Sequence, residues 1–96
     1  MIMQFEWHEA KDTSNQRKHG ISFELASLVF FDPLRIEYYD GRETYGEDRW
    51  ITIGLVHPAM LYVVYTLRGE NDENIRLISA RKANENERRS YYQANH

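Results

Sequence analysis

Ninety-six residues make one small domain, 1–96, near the size at which a single core holds without covalent staples. The absence of cysteine excludes a disulfide framework and a thiolate metal site, and fits a reducing cytoplasm. A net charge of −3 argues against a general nucleic-acid coat, no run approaches membrane-span length, and Met1–Phe5 does not read as a signal peptide, so a cytoplasmic protein with no membrane partner is expected.

Along the chain there is no repeat, low-complexity segment or linker. Phe5-Glu6-Trp7 starts as a short strand or a hydrophobic staple. Glu9 to Lys18 is compatible with a helix ending at Gly20, which tolerates the left-handed conformation of a C-terminal cap. Only Ala10 is apolar there, so this helix lacks a normal core-facing stripe. Ser22 is an N-cap candidate for a second helix, with Phe23, Ala26, Val29 and Phe30 spaced for burial and Asp32-Pro33 as the stop. Arg35 to Asp40 reads as a strand, followed by an acidic, glycine-containing loop from Gly41 to Glu47. Three β-branched and aromatic runs follow, Arg49–Leu55, Leu61–Arg68 and Ile75–Arg81, joined by His57-Pro58 and by Gly69 to Asn74. Asn84 with Glu87 three residues on is a capping-box pattern for a final helix reaching Tyr92. The predicted class is α+β, an antiparallel β-sheet meander flanked by N-terminal helices and a C-terminal helix.

Alternation along the three runs suggests two unlike faces. One collects Ile51, Ile53, Leu55, Leu61, Val63, Tyr65, Leu67, Ile78 and Ala80. The other collects Thr52, Gly54, Val64, Thr66, Arg68, Ser79 and Arg81, a floor of small hydroxyls rimmed by arginine that suits a phosphate-bearing ligand. Antiparallel pairing through short turns sets Arg49 near Thr66, Glu47 near Arg68, and Arg68 near Ile75 and Arg76. Arg81 falls opposite Tyr62, about 20 Å from Arg68 at roughly 3.3 Å per residue. Two arginines so far apart bracket a trough of a few nucleotides and cannot clamp one phosphate.

Charge is unevenly spread. Acids crowd Glu37, Asp40, Glu43, Glu47 and Asp48, then Glu70, Asp72 and Glu73, and the acidic loop from Asp40 to Asp48 is expected to stay exposed. From Arg76 to Arg89 the chain holds Arg76, Arg81, Lys82, Arg88 and Arg89 against Glu85 and Glu87. Nine of the twelve basic residues are arginine, the better bidentate partner for phosphate. A solvated surface of mixed sign is the plain alternative.

Motifs from end to end carry a resemblance. They begin with Phe5-x-Trp7, Lys11, Asn15, Lys18-His19-Gly20, Phe23, Ala26, Val29-Phe30 and Asp32-Pro33. They continue through Glu47-x-Arg49, Gly54, Val63-Val64-Tyr65-Thr66-x-Arg68 and Ile75-Arg76-x-Ile78-Ser79-Ala80-Arg81-x-Ala83, with Glu87 and Tyr91. In these the chain resembles the BrnT toxins, members of the RelE-like ribonuclease toxins of type II toxin–antitoxin systems. His8 departs from the family, which usually has Asp after the Trp. The resemblance implies RNA cleavage, a RelE-like fold, and a BrnA-type antitoxin encoded alongside that sequesters the toxin. It also implies contact with operator DNA only through that antitoxin.

Metal-independent RNA cleavage needs a base for the 2′-hydroxyl proton, an acid for the departing 5′-oxygen and cations for the crowded phosphorane. Arg68 and Arg81 are the expected charge stabilisers. Histidine titrates near neutrality, which makes His19 the first acid–base candidate, and Glu47 is the alternative base. Lys18, Arg49, Thr66, Arg76, Ser79 and Tyr91 are expected to bind substrate, Tyr91 by stacking or through its hydroxyl. Bland roles stand beside these: His19 as a helix-terminal cation, Glu47 and Arg49 as a surface ion pair, Arg76 snorkelling over the core, and Tyr91 packing the last helix. His8, His19, His57 and His96 lack ligand spacing, the glycines form no phosphate loop and Ser79 has no triad signature, so neither metal nor cofactor is expected.

Two functions from different classes remain. One is an RNA endonuclease toxin; the other is a non-catalytic interaction module acting as co-repressor with a DNA-binding partner. Thr, Ser and Arg at the centre of the polar face favour the first, because a pure protein interface is enriched in aromatic residues and Met.

Overall fold

The computed structural model describes residues 3–42 and 46–96. Strand β1 (Gln4–Glu6) leads into helix α1 (Glu9–His19), helix α2 (Phe23–Ser27) with a 3-10 turn at Leu28–Phe31, and strand β2 (Ile36–Asp40). Strands β3 (Arg49–Val56), β4 (Ala59–Arg68) and β5 (Asn74–Lys82) and helix α3 (Glu85–Ala94) complete the chain. The local chemistry at the boundaries is that expected. Gly20 closes α1 at φ 70°, its N–H donating to the Gln16 carbonyl, and Ser22 Oγ accepts from the Leu25 N–H. Asn84 and Glu87 close a reciprocal capping box on α3. His8, where an aspartate would cap α1, makes no side-chain cap bond.

The sheet runs β1-β5-β4-β3-β2, and it is mixed. Strands β2 to β5 form the antiparallel meander, but β1 pairs parallel to β5, with Phe5 opposite Ile75 and Glu6 opposite Arg76. This corrects the purely antiparallel sheet: α1 and α2 carry the chain from β1 at one edge of the sheet to β2 at the other, and β1 runs in the direction of β5.

Register corrects the face assignment as well. Thr52 lies opposite Val63 and Gly54 opposite Leu61, so Thr52 and Gly54 share the face of Leu61, Val63 and Tyr65, and Ile51, Ile53 and Leu55 face the other way. Both sides of β3 are buried, so its alternation carries no sign of which side holds water. At Gly54 an added Cβ would stand 2.7 Å from Val29 Cγ2, so only glycine lets the 3-10 turn settle on the sheet. In β5 a bulge sets Val64 opposite Ser79 but Tyr65 opposite Leu77. One residue, Ile78, is thereby absorbed, and Arg76 and Arg81, an odd number of positions apart, come to the same face.

Two apolar layers result. Phe23, Ala26, Val29 and Phe30 from α2 and its turn pack on Leu61, Val63, Tyr65, Leu77 and Ala80. Across the sheet Tyr91 of α3 packs with Ile51, Ile53, Met60 and Val64. Ile53 and Val63 are buried beneath helices as expected, on opposite sides of the sheet, while Ile78 is half-buried beside the α3 layer. Helix α1 holds on through one buried polar side chain. Asn15 Nδ2 donates to the carbonyls of Ile21 and Ala80, each at 2.8 Å, and its Oδ1 accepts from Ala80 N–H at 3.1 Å.

Candidate functional site

The face of β3, β4 and β5 that α3 only partly covers carries Arg49, Thr66, Arg68, Arg76, Ser79 and Arg81 together, by the register of these strands. Glu47 lies between two of the arginines, 3.5 Å from Arg49 Nη2 and 3.8 Å from Arg68 Nη1. Arg76 Nε donates to Glu6 across the parallel β1–β5 pair at 2.8 Å. Arg81 lies 3.8 Å above the Tyr62 ring and donates twice to Glu87, each bond 2.8 Å. That doubly bonded guanidinium holds the Glu87 carboxyl below the usual carboxylate range, and Glu87 in turn raises Arg81.

Exposure separates the roles open to these cations. The Arg68 side chain is 44% exposed and Arg81 36%, whereas Arg49 is 18%, so the first two are open to solvent and Arg49 backs the surface. Thr66 is buried, and its hydroxyl donates to the Asp48 carbonyl at 2.6 Å. It therefore pins the start of β3 beside the arginines.

A second group joins at the border of this face. Lys11, Ser14, Lys18 and His19 of α1 line a shallow hollow with Ile78 and Ser79 of β5. They come from one stripe of the helix at i, i+3, i+7 and i+8. That periodic polar stripe is the signal that could have identified Lys11 as a candidate, in a helix whose apolar stripe is missing. His19 and Lys18 are exposed at the helix C-terminus.

Tyr91 is placed elsewhere. It is 2% exposed, under α3 in the apolar layer, and its hydroxyl donates to Asp32 Oδ2 at 2.7 Å. Burial, then the bond to Asp32, push the Tyr91 phenol up to about 12. Its ring cannot meet a nucleobase while α3 is docked, so the substrate contact expected of Tyr91 is not available in this arrangement. Asp32 also accepts from Leu34 N–H at 2.9 Å and Leu55 N–H at 2.8 Å, which makes it a hub joining turn, sheet and α3. Of the acidic loop, Asp40 is buried and doubly bonded to Arg42, Gly41, Arg42 and Asp48 are exposed, and Glu43 lies outside the described residues. Among the described residues no three His, Asp or Glu side chains converge as a metal site.

Sequence reasoning missed the carboxylates. Glu6, 70 residues away from Arg76, and Glu87, read only as a capping residue, each engage an arginine that was expected to await phosphate. No local pattern reports the first. The second was open to reading, since a capping-box glutamate beside a strand-end arginine has two jobs within reach.

The chain matches a family model described as ribonuclease toxin, BrnT, of type II toxin–antitoxin system, over residues 7–87. No curated protein sequence matches it. Among solved structures it is similar to the 1.1 Å crystal structure of the Brucella abortus ribonuclease toxin BrnT, with a TM-score of 0.65 at 23% identity, covering 88% of this chain and 100% of that one. At that identity the likeness speaks to the fold. It agrees with the α+β architecture and its five-stranded sheet.

Proposed function

The chain belongs to the BrnT family of ribonuclease toxins of type II toxin–antitoxin systems, and from that premise we propose that it cuts RNA without a metal ion, on the arginine-bearing face. The helix-flanked sheet is read as a RelE-like variant. The observation that carries the proposal is the convergence of Arg68, Arg76 and Arg81 on one side of the sheet, with Lys11, Lys18 and His19 of α1 at its border.

In this reaction the 2′-oxygen attacks the adjacent phosphorus while the bond from phosphorus to the 5′-oxygen breaks. The products are a 2′,3′-cyclic phosphate and a 5′-hydroxyl end. A base takes the 2′-proton and an acid returns one to the leaving oxygen. His19 is the first candidate for acid–base work in these transfers, and Glu47 is the alternative base. Arg68 and Arg81 bracket the trough, so that one stabilises the dianionic phosphorane while the other, with Lys18, Arg76 and Ser79, holds flanking phosphates and sugars, and Arg49 supports the surface from behind. Thr66 contributes by fixing the floor. Each phosphate displaces a carboxylate from its arginine, so Glu47, Glu6 and Glu87 act as resting counter-ions that keep the guanidiniums aligned.

The partner in this reading is a BrnA-type antitoxin that covers the basic face with acidic or helical segments and supplies the contacts to operator DNA. A complex in which Arg68 and Arg81 both stay open to solvent would contradict inhibition by site blocking. Loss of one well-placed phosphate stabiliser costs about 2.7–4 kcal/mol, or roughly two to three decades in rate. Arg68→Ala and Arg81→Ala are each expected to relieve growth arrest with the fold intact, and His19→Ala more weakly. Arg81→Lys is expected to rescue in part, since a point charge does not replace the planar fork. Purified protein is expected to cleave RNA in excess EDTA. Full toxicity of the Arg68→Ala/Arg81→Ala double variant at matched expression would sink the site, and full inhibition by EDTA would sink the mechanism.

A further inference from the structure

On the opposite face of the sheet, at the end marked by Trp50 and Ile75, lies a cavity of 270 Å³. Phe30, Trp50, Tyr65 and Leu67 wall it, and Arg35, Glu37, Asp72 and Glu73 stand at its mouth. None of these residues belongs to the arginine-bearing face: the pairing of Tyr65 with Trp50 puts both on the α2 side with Leu61 and Val63.

The chemistry of the walls is selective. Arg35 already shows what the cavity accepts, its guanidinium 4.9 Å from the centre of the Phe30 ring and its Nη1 2.9 Å from Glu37 Oε2. Tyr65 donates its hydroxyl to the same carboxylate, which holds Glu37 in place from below. Three carboxylates at the mouth face one guanidinium, so the opening is net negative. RNA is repelled from such a mouth, and a cation on an apolar stem is drawn to it. Volume narrows the choice. Small-molecule sites occupy about 300–1,000 Å³, so this space suits one or two side chains of a partner protein better than a cofactor or nucleotide. Energetic anchors of protein interfaces are enriched in Trp, Tyr and Arg and sit in well-packed pockets, which an aromatic-walled space for one cationic side chain provides.

We propose that this aromatic, acid-mouthed cavity is a second anchoring site for the antitoxin, filled by an arginine or lysine side chain of that protein. The proposal rests on the antitoxin reading given above and adds to it a separate contact on the other side of the sheet. An antitoxin engaged at both places wraps the sheet end, with acidic groups on the arginine face and a basic group in the cavity.

The test uses the whole chain and the purified protein encoded by the neighbouring open reading frame. Asp72→Asn/Glu73→Gln removes two charges while keeping a residue tolerant of positive φ at 72 and an acceptor for Asn71 N–H at 73. This variant is expected to bind the antitoxin about tenfold more weakly, with a shallower salt dependence, and to cleave RNA at the unaltered rate. Trp50 emission, recorded in a Trp7→Phe background with the cavity itself untouched, is expected to shift on antitoxin binding. Wild-type affinity in the double variant overturns the proposal whatever Trp50 does, and so does a fall in affinity with no change at Trp50. Self-association of the free chain that the double variant abolishes also overturns it, because the occupant is then a second copy. Failure of the unaltered chain to bind the antitoxin at all is a different outcome, which removes the antitoxin reading together with this one.

Discussion

The two faces of the sheet are built from alternate residues of the same strands, yet they hold opposite charge. On one, Arg49, Arg68, Arg76 and Arg81 meet carboxylates one or two at a time. On the other, Glu37, Asp72 and Glu73 line a cavity with a single Arg35 beside aromatic rings. The net charge of −3 averages these and describes neither. A sheet one residue thick can therefore present an anion-seeking and a cation-seeking surface, provided the apolar layer between them is intact and the strand register does not slip.

Breaking that layer has the largest expected effect. Val63 is fully buried between α2 and the sheet, and Val63→Asp sets an unpaired charge there. Small domains have a margin of roughly 5–15 kcal/mol, so loss of the cooperative thermal transition by circular dichroism is expected. A soluble variant with a sharp transition would contradict the two-layer core. Next in size is the separation of charge itself. Arg68→Ala is expected to weaken binding of a non-cleavable single-stranded RNA and to lower the slope of log K against log salt by about 0.7. Asp72→Asn is expected to leave both quantities unchanged or to strengthen binding slightly. Equal weakening by the two changes would mean that RNA straddles both faces.

Acid sharpens the comparison more gently. On the arginine face Glu87 is held low chiefly by the Arg81 hydrogen bonds. On the aromatic face burial pushes Glu37 up, but the hydrogen bonds from Tyr65 and Arg35, with the Arg35 charge, outweigh it and hold Glu37 low. A folded carboxyl below its unfolded value stabilises fully above that value, and the benefit is lost as pH falls through the folded pKa. Denaturation midpoints should hold above the ordinary carboxylate range and fall below it. Glu87→Gln and Glu37→Gln are each expected to cost about 1 kcal/mol near neutrality, allowing for partial exposure, and to flatten the acid limb. An unchanged acid limb in both would show that other groups carry it. Smallest is a change remote from both surfaces. His8→Asp supplies the missing cap of α1 and is expected to add about 0.5–1 kcal/mol by chemical denaturation, with RNA and antitoxin affinities unmoved.

Elements and their ends were legible because local rules set them. Gly20, Ser22 and the Asn84–Glu87 box acted through neighbours in the chain, and the α2 stripe announced its own burial. Pairing distances were legible too, since short turns fix register: Glu47 meets Arg68 and Arg81 meets Tyr62. What failed needed information from far away. Strand β3 is apolar on both sides, so its phase had to come from the partner strand. The parallel β1 and the bulge at Ile78 arise from long-range packing and leave no periodic trace. At the site, arginines were readable as phosphate seekers, but the glutamates that occupy Arg76 and Arg81 belong to β1 and α3.

Beyond Arg76, no strand among the described residues pairs with the outer side of β5, and the amide of Asn15 stands in for one by satisfying both backbone groups of Ala80. That single amide stoppers this stretch of the β5 edge. Without it, a naked donor and acceptor would be offered as a template to any extended chain nearby, including another toxin molecule or a nascent peptide at high expression. Asn15→Ala is thus a route to insoluble protein rather than to a merely weakened helix. A toxin silenced in that way would be harmless through precipitation, with every arginine of its basic face still in place.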